Sequence, residues 1–386
     1  CFYSKNVYNQ ANYIIRQEFI NNNNKLSAYD VQKLMQPMDC YKECGSQAAQ
    51  KTIQLVDKMW KSYFKAIKDW KKNPSKYLGM PKLPKYLPKD GRQVFMLKNI
   101  QCSLNNGQFR IAFKPFGGYT VKTHAVGKLM QCRFVPKADY YVMEIVYEIE
   151  VPETENIVSE RIAAIDLGVD NLMTITTNCD VSPIIINGKP LKSINQYYNK
   201  KISEMRSALK LRNDSDWSNE MQRFTTKRNN QVDDYIQKST KMVVNFCKCN
   251  DIDTLVCGYN SGWKQDTNMG KRVNQKFVSI PYLSIVQRLE YKCENEGIKF
   301  IKTNESYTSG TSFLDGEEPI EKNYNKDRRI YRGLFQSEKG VYINADVNGS
   351  YQIMKKVFPK TFANGIVDAG SHPVVVNIPL QTANVM

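Results

Sequence analysis

The chain has 386 residues and a mass of 44.6 kDa, room for two or three domains. Apolar residues at 41% and charged residues at 24% exclude wholesale disorder, and no apolar run approaches the roughly 18 residues that a membrane span needs. Lys and Arg outnumber Asp and Glu by 55 to 38, and a net charge of +17 points to phosphate-rich partners.

Residues 1–75 read as helical. Val7, Ala11, Ile14, Ile15 and Phe19 recur at helix spacing, and Ala49, Ile53, Val56, Trp60, Phe64 and Ile67 do so more cleanly. Lys51, Lys58, Lys61, Lys65 and Lys68 fall on the other faces, where a solvated surface and a phosphate-contacting surface fit equally well. The first residue, Cys1, already lies in the helical pattern, so the true N-terminus is expected upstream. No secretory leader is recognised, and the protein is expected to be soluble.

Pro74, Pro81, Pro84 and Pro88, interleaved with Lys over 73–90, block a helix and predict an extended basic linker, with 76–90 as its bounds. A β region follows over 91–158. Its runs Val94–Leu104 and Gln108–Phe113 flank Asn106-Gly107, a strong hairpin signal, and Tyr140–Val151 alternates with aromatic and β-branched residues. A small antiparallel sheet or barrel is expected there.

From Ser159 the pattern changes. Arg161–Asp166, Leu172–Thr177 and Ile184–Ile186 predict three meandering strands, followed by a helix bearing Ile194, Tyr198, Ile202, Met205 and Leu209 and a second helix to about Asn250. Thr254–Cys257 and Gly297–Lys302 predict buried strands on either side of a helix over Pro281–Glu296. A last helix begins near Asp346. This order is that of a ribonuclease-H-like α/β fold over 159–358, with no motif in the tail 359–386.

Ten cysteines form no C-x-x-C pair, and His124 and His372 are the two histidines. Zinc spacing is absent, and so few histidines argue against Ser-His or Cys-His catalysis. The cysteines are expected as reduced, mostly buried thiols. The 23 tyrosines add stacking groups and hydroxyl donors of the kind that nucleic-acid sites use.

Asp166 closes an apolar strand before Leu167-Gly168, where a carboxylate can bind a metal and a glycine can admit a close backbone. The wider string Ala164-Ile-Asp-Leu-Gly-Val-Asp-Asn-Leu172 resembles the first RuvC motif of the TnpB and Fanzor proteins and of the type V CRISPR effectors. Ile194–Lys201, Gly262–Gln265, Asn268–Lys271, Phe277–Pro281, Glu305–Ser309 and Ile343–Gly349 look like further segments of that family, in its order. The resemblance implies a multidomain α+β protein. Its parts would be an N-terminal helical recognition module (1–75), a wedge-like β-barrel (91–158) and a ribonuclease-H-like RuvC domain. It also implies RNA-guided cleavage of double-stranded DNA beside a short flanking motif, in the cell compartment that holds DNA: the nucleus, or the bacterial cytoplasm and nucleoid. Partners would be a transposon-derived noncoding guide RNA and target DNA, bound by a monomer, with no membrane.

Two departures from the family pattern matter. The family's second motif places a Glu at the end of the fourth strand, where this chain has Gly258-Tyr259. The cysteines of a zinc ribbon are replaced by residues such as Ser312 and Asp315, so no zinc is expected. The strands at 254–257 and 297–302 should be parallel, bringing their C-terminal ends to one edge. Glu305 then lies one strand farther from Asp166, about 4.8 Å more to cover, and Gly258 leaves space for it to reach in. The resemblance supports this rearranged glutamate.

The expected catalytic and metal-ligating set is therefore Asp166, Glu305 and Asp346. A solvated loop carboxylate is the plain alternative for Glu305, and a helix N-cap that for Asp346. Asn348 is either a helix-start residue or a support to the site. Carboxylates without His suit Mg²⁺, with Mn²⁺ able to substitute. Lys264, Gln265, Lys271, Arg272, Asn274, Arg328, Arg329 and Arg332 are candidate nucleic-acid contacts, each equally readable as ordinary surface. A nuclease-dead RNA-guided repressor is the alternative function, and an unguided recombinase a weaker third.

Overall fold

The computed structural model describes residues 1–213, 215–260, 278–362 and 373–379, which fall in two units, Cys1–Glu150 and Val151–Met386. Among the described residues no helix is long and apolar enough to cross a membrane. All ten cysteines are free thiols, six of them buried.

The first unit begins with α1 (Phe2–Asn22), α2 (Ala28–Met35), α3 (Asp39–Cys44) and α4 (Ser46–Lys72). Ser27 starts α2 through a reciprocal capping box with Asp30. The buried stripe of α4 runs from Ala48 through Ile53 and Val56 to Trp60, whose indole donates to Asn12 Oδ1 on α1 at 2.9 Å. Six strands follow: β1 (Phe95–Lys98), β2 (Cys102–Asn105), β3 (Gln108–Ile111), β4 (Thr120–Lys122), β5 (Lys128–Pro136) and β6 (Tyr141–Glu148).

These strands pair as two separate antiparallel sheets, β1-β5-β6 and β2-β3-β4, rather than one closed barrel. A 3-10 turn at Asn99–Gln101 splits the expected run 94–104 into β1 and β2. Asn106 and Gly107 both take positive φ, 49° and 71°, as a two-residue hairpin turn requires. The sequence pattern missed β5, because an irregularity between Leu129 and Gln131 breaks its alternation. Phe95, Leu97, Phe109, Ile111 and Cys132 share one core with Val7, Ile53 and Trp60, so the helical and β segments are not separate modules.

The second unit is built on a six-stranded sheet. Its strands are β7 (Ile162–Leu167), β8 (Asn171–Thr177), β9 (Ile184–Asn187), β10 (Thr254–Gly258), β11 (Lys299–Thr303) and β14 (Val374–Val376), in the order β11-β10-β7-β8-β9-β14. The meander β7-β8-β9 is antiparallel, whereas β10 runs parallel to β7 and β11 parallel to β10. This is the expected arrangement of the core strands. The strand β14, parallel to β9, is an addition that the tail sequence did not suggest.

Side chains of β7 alternate between two faces. Ala163, Ile165 and Leu167 enter a core with residues of α6 (Asn219–Cys249) and α7 (Tyr282–Asn295), and Leu191 of α5 (Lys189–Asn213) joins them. Ile162 and Ala164 pack with Val256, Ile353 and Met354 under α8 (Ala345–Val357). Asp166 therefore belongs to the α8 face. A small hairpin, β12 (Leu334–Gln336) with β13 (Tyr342–Asn344), leads into α8.

Candidate active site

The register places Cys257 opposite Ile165 and Gly258 opposite Thr303, so Gly258 stands level with Asp166 at the C-terminal sheet edge. Glu305 follows two residues beyond β11 and leans back over β10. A Cβ on Gly258 would lie 3.1 Å from Glu305 Oε2 and 2.6 Å from Ile353 Cδ1. The space a side chain would take is shared by Ile353 and the Glu305 carboxyl. Asn260 Oδ1 accepts the Glu305 N–H at 3.1 Å, and Lys356 donates to Ser306 O at 2.9 Å, tying this turn to β10 and α8.

Asp166 is crowded from the other side. A Cβ on Gly349 would lie 2.9 Å from Asp166 Oδ2, so only glycine lets α8 pass this close. Gly168, expected to admit a nucleic-acid backbone, has a local cause of its own. Its N–H bonds Leu172 O at 3.2 Å, and a Cβ there would sit 2.4 Å from Asn171 O. Tightness of the β7–β8 turn accounts for it.

Asp346 sits in the first turn of α8 but does not cap it. Asn344 does, accepting from Asp346 N at 3.0 Å and Val347 N at 3.2 Å. The Asp346 carboxylate instead receives Asn171 Nδ2 at 2.7 Å and Arg329 Nη2 at 3.0 Å. Asn348 is buried and closes a loop, donating to Thr311 O and accepting from Phe313 N at 2.8 and 2.9 Å. That is a structural role.

Asp166 feels both of the other carboxyls. Burial pushes Asp166 well above the usual carboxylate range, and the charges of Glu305 and Asp346 push it further; Arg329 opposes them. Burial likewise raises Glu305 to about 8, against the pull of Lys356. Glu305 Oε2 is buried with no hydrogen-bond partner. Such an orphaned oxygen, near a second carboxyl whose charged form burial disfavours, fits a hard divalent cation. As the side chains stand, however, no three acidic, His or Cys groups among the described residues are gathered closely enough to hold a metal. Asp346 is turned to Arg329 and Asn171.

The basic candidates divide. Arg329 pairs with Asp346 and also donates to Arg332 O, while Arg332 pairs with Asp170 at 3.2 Å. Both lie at the carboxylate edge. Arg328 faces Glu317 in an ion pair, away from this group. Lys264, Gln265, Lys271, Arg272 and Asn274 lie outside the described residues. Where ribbon cysteines were missing, hydrogen bonds join two turns: Asp315 N meets Ser312 Oγ at 3.2 Å, and Glu338 N meets Asp315 Oδ2 at 2.7 Å.

Sequence reading missed Asn171, Asn260, Gly349 and Lys356. Asn171 stands inside the quoted Ala164–Leu172 string and could have been found there. Lys356, ten residues beyond Asp346, carries no local signal.

Residues 144–264 match the OrfB_IS605 family, described as a probable transposase, and residues 282–353 match the Cas12f1-like TNB domain. Two solved structures are similar at low identity. One, a Cas12f1–sgRNA–target DNA complex, shows 17% identity and a TM-score of 0.39 over 91% of each chain. The other, a CRISPR-Cas12f ternary complex, shows 15% identity and a TM-score of 0.39 over 91% of this chain and 79% of that one. No curated protein matches the chain. The two family matches, which between them take in Asp166, Glu305 and Asp346, support a TnpB-like family of RuvC type for this protein.

Proposed function

We propose that the chain is an RNA-guided DNA endonuclease. It binds a guide RNA encoded by a mobile element and cuts complementary double-stranded DNA beside a short flanking motif, as a monomeric ribonucleoprotein. The observation that carries the reading is the buried, unpartnered Glu305 Oε2 in the space above Gly258, beside the raised carboxyl of Asp166. A solvated loop carboxylate would have neither feature. The family matches and the net charge of +17 support the guided, nucleic-acid part of the reading.

Asp166, Glu305 and Asp346 would hold Mg²⁺, or Mn²⁺ in its place. A divalent cation bound there supplies positive charge to a phosphodiester and makes bound water acidic. The chain's own residues do the rest. Glu305, raised to about 8, keeps its proton at neutral pH when no cation is present, and Asp166 is pushed the same way by burial, which limits their mutual repulsion. Asn260 and Lys356 hold the Glu305 turn. Arg329 and Arg332 bring positive charge to the same edge, where phosphate oxygens can replace carboxylates as their partners. One such site would have to cut both strands in turn.

The test is substitution. Asp166→Ala, Glu305→Ala and Asp346→Ala should each abolish guided cutting and leave guided DNA binding nearly intact, because base pairing and basic residues hold the nucleic acid. Glu296→Ala is the control, since Glu296 pairs with Lys241 and Lys248 beyond the end of α7. Wild-type cutting by Glu305→Ala would overturn the assignment. Guided binding without any cutting in Mg²⁺ or Mn²⁺ would leave a repressor.

A further inference from the structure

The stretch expected as an extended basic linker is docked along α1. Lys5, Tyr8, Asn9, Asn12 and Arg16 fall on one face of that helix and spend their polar groups on the backbone of residues 84–89. Lys5 Nζ donates to Lys89 O at 2.6 Å, Tyr8 Oη to Lys85 O at 3.0 Å, and Asn12 Nδ2 to Pro84 O at 3.1 Å. Arg16 also donates to Pro84 O and lies over the Tyr86 ring at 4.7 Å. Asn9 grips Leu87 twice, donating to its carbonyl at 2.9 Å and accepting its N–H at 2.8 Å. Leu83 and Leu87 pack half-buried against the core of the unit. An extended proline segment forms no internal hydrogen bonds, so these contacts are what fix it.

The same segment turns its charge outward. Each of its prolines is followed by a lysine: Pro81-Lys82, Pro84-Lys85 and Pro88-Lys89. All three lysines are exposed, and none has an ion-pair partner among the described residues. In an extended proline conformation of three residues per turn, Lys82 and Lys85 stand on one edge about 9 Å apart. The backbone is held from behind by α1, and the ammonium groups are left free.

We propose that residues 81–89 form a pre-ordered lysine rail that contacts the phosphodiester backbone of a nucleic-acid duplex without reading its sequence. The inference rests on the nucleic-acid part of the proposed function, but not on cleavage. Ordering the strap before binding removes a cost that a flexible basic tail would meet on contact. Phosphate on a guide duplex and phosphate on target DNA present the same chemistry, so the experiment separates them.

The full chain is titrated into an RNA duplex and a DNA duplex of equal length and unrelated sequence, over a series of salt concentrations. Replacing Lys82, Lys85 and Lys89 by Gln should make the log–log salt dependence shallower by about 2 to 3, since each lost phosphate contact removes roughly 0.9 on B-DNA. The duplex on which this occurs identifies the source. Asn9→Ala keeps every lysine and loosens the strap, so it should weaken binding severalfold while lowering the slope little; thermal melting confirms that the variant folds. An unchanged slope for the triple variant on both duplexes overturns the rail. Wild-type affinity of a folded Asn9→Ala protein overturns the pre-ordering. A chain that binds as expected but never cuts guided DNA refutes the nuclease reading alone.

Discussion

Placing a methyl group on Gly258 tests the space that Glu305 enters. A Cβ there would lie 2.6 Å from Ile353 Cδ1, inside any real carbon–carbon contact, and 3.1 Å from Glu305 Oε2. Ile353 has to turn away, and the carboxylate has to give by a few tenths of an ångström. Overpacking of this kind costs about 1–3 kcal/mol. In a unit of this size that lowers the melting temperature by about 2–4 °C for each kcal/mol. Ile353→Val removes the closest atom at a cost of its own of about 0.5–1.5 kcal/mol. The double variant Gly258→Ala/Ile353→Val should therefore be less destabilised than the two single changes added together, by about 1 kcal/mol. Guided cleavage separates packing from site geometry. The double variant recovers stability, yet the carboxylate remains displaced, so cutting stays below wild type while guided binding is unchanged. Additive stabilities together with wild-type cutting would refute the account of Gly258.

The remaining predictions concern protons, metal and the cap of α8. Glu305 is ordinary when unfolded, near 4.5, and about 8 when folded. The folded state therefore binds the extra proton between those values, and the contribution of Glu305 to metal-free stability should be full below about pH 4.5 and fall away as the pH rises to about 8. Glu305→Gln should flatten that fall in melting curves recorded from pH 5 to 9, and parallel curves for both proteins would contradict it. Mg²⁺ should raise the melting temperature of the wild type, as any ligand specific to the folded state does, and leave Asp166→Ala/Glu305→Ala unmoved. Elemental analysis should find no stoichiometric zinc, because hydrogen bonds among Ser312, Asp315 and Glu338 occupy the place of the missing cysteines. Asn344→Ala should cost about 1 kcal/mol through loss of its two cap bonds, measured by denaturant unfolding. Cutting should fall as well, since Asp346 sits in the turn that the cap holds.

What was legible in the sequence was local or repeated. The apolar strands around Asp166 and Cys257 and the stripe of Ile53, Val56 and Trp60 follow from periodicity, and Asn106-Gly107 marks its hairpin because both residues tolerate positive φ. Glu305 could be offered as a candidate because parallel strands joined by a helix must end at the same edge, because Gly258 carries no side chain, and because the resemblance to the TnpB and Fanzor proteins supports a rearranged glutamate. Tertiary structure alone decided what those residues meet. Asn344 rather than Asp346 caps the last helix, Gly349 lets that helix pass against Asp166, and Arg329 turns to Asp346 while Arg328 turns to Glu317. The basic proline stretch lies along α1 because five side chains from one helix face bond its carbonyls. None of these partners is near in sequence: Asn9 lies 78 residues from Leu87, and Asn171 lies 175 from Asp346. Periodicity reports which face of an element is buried. It carries no record of the distant atom that satisfies a particular oxygen or fills a particular space, and that pairing exists only once the chain has closed on itself.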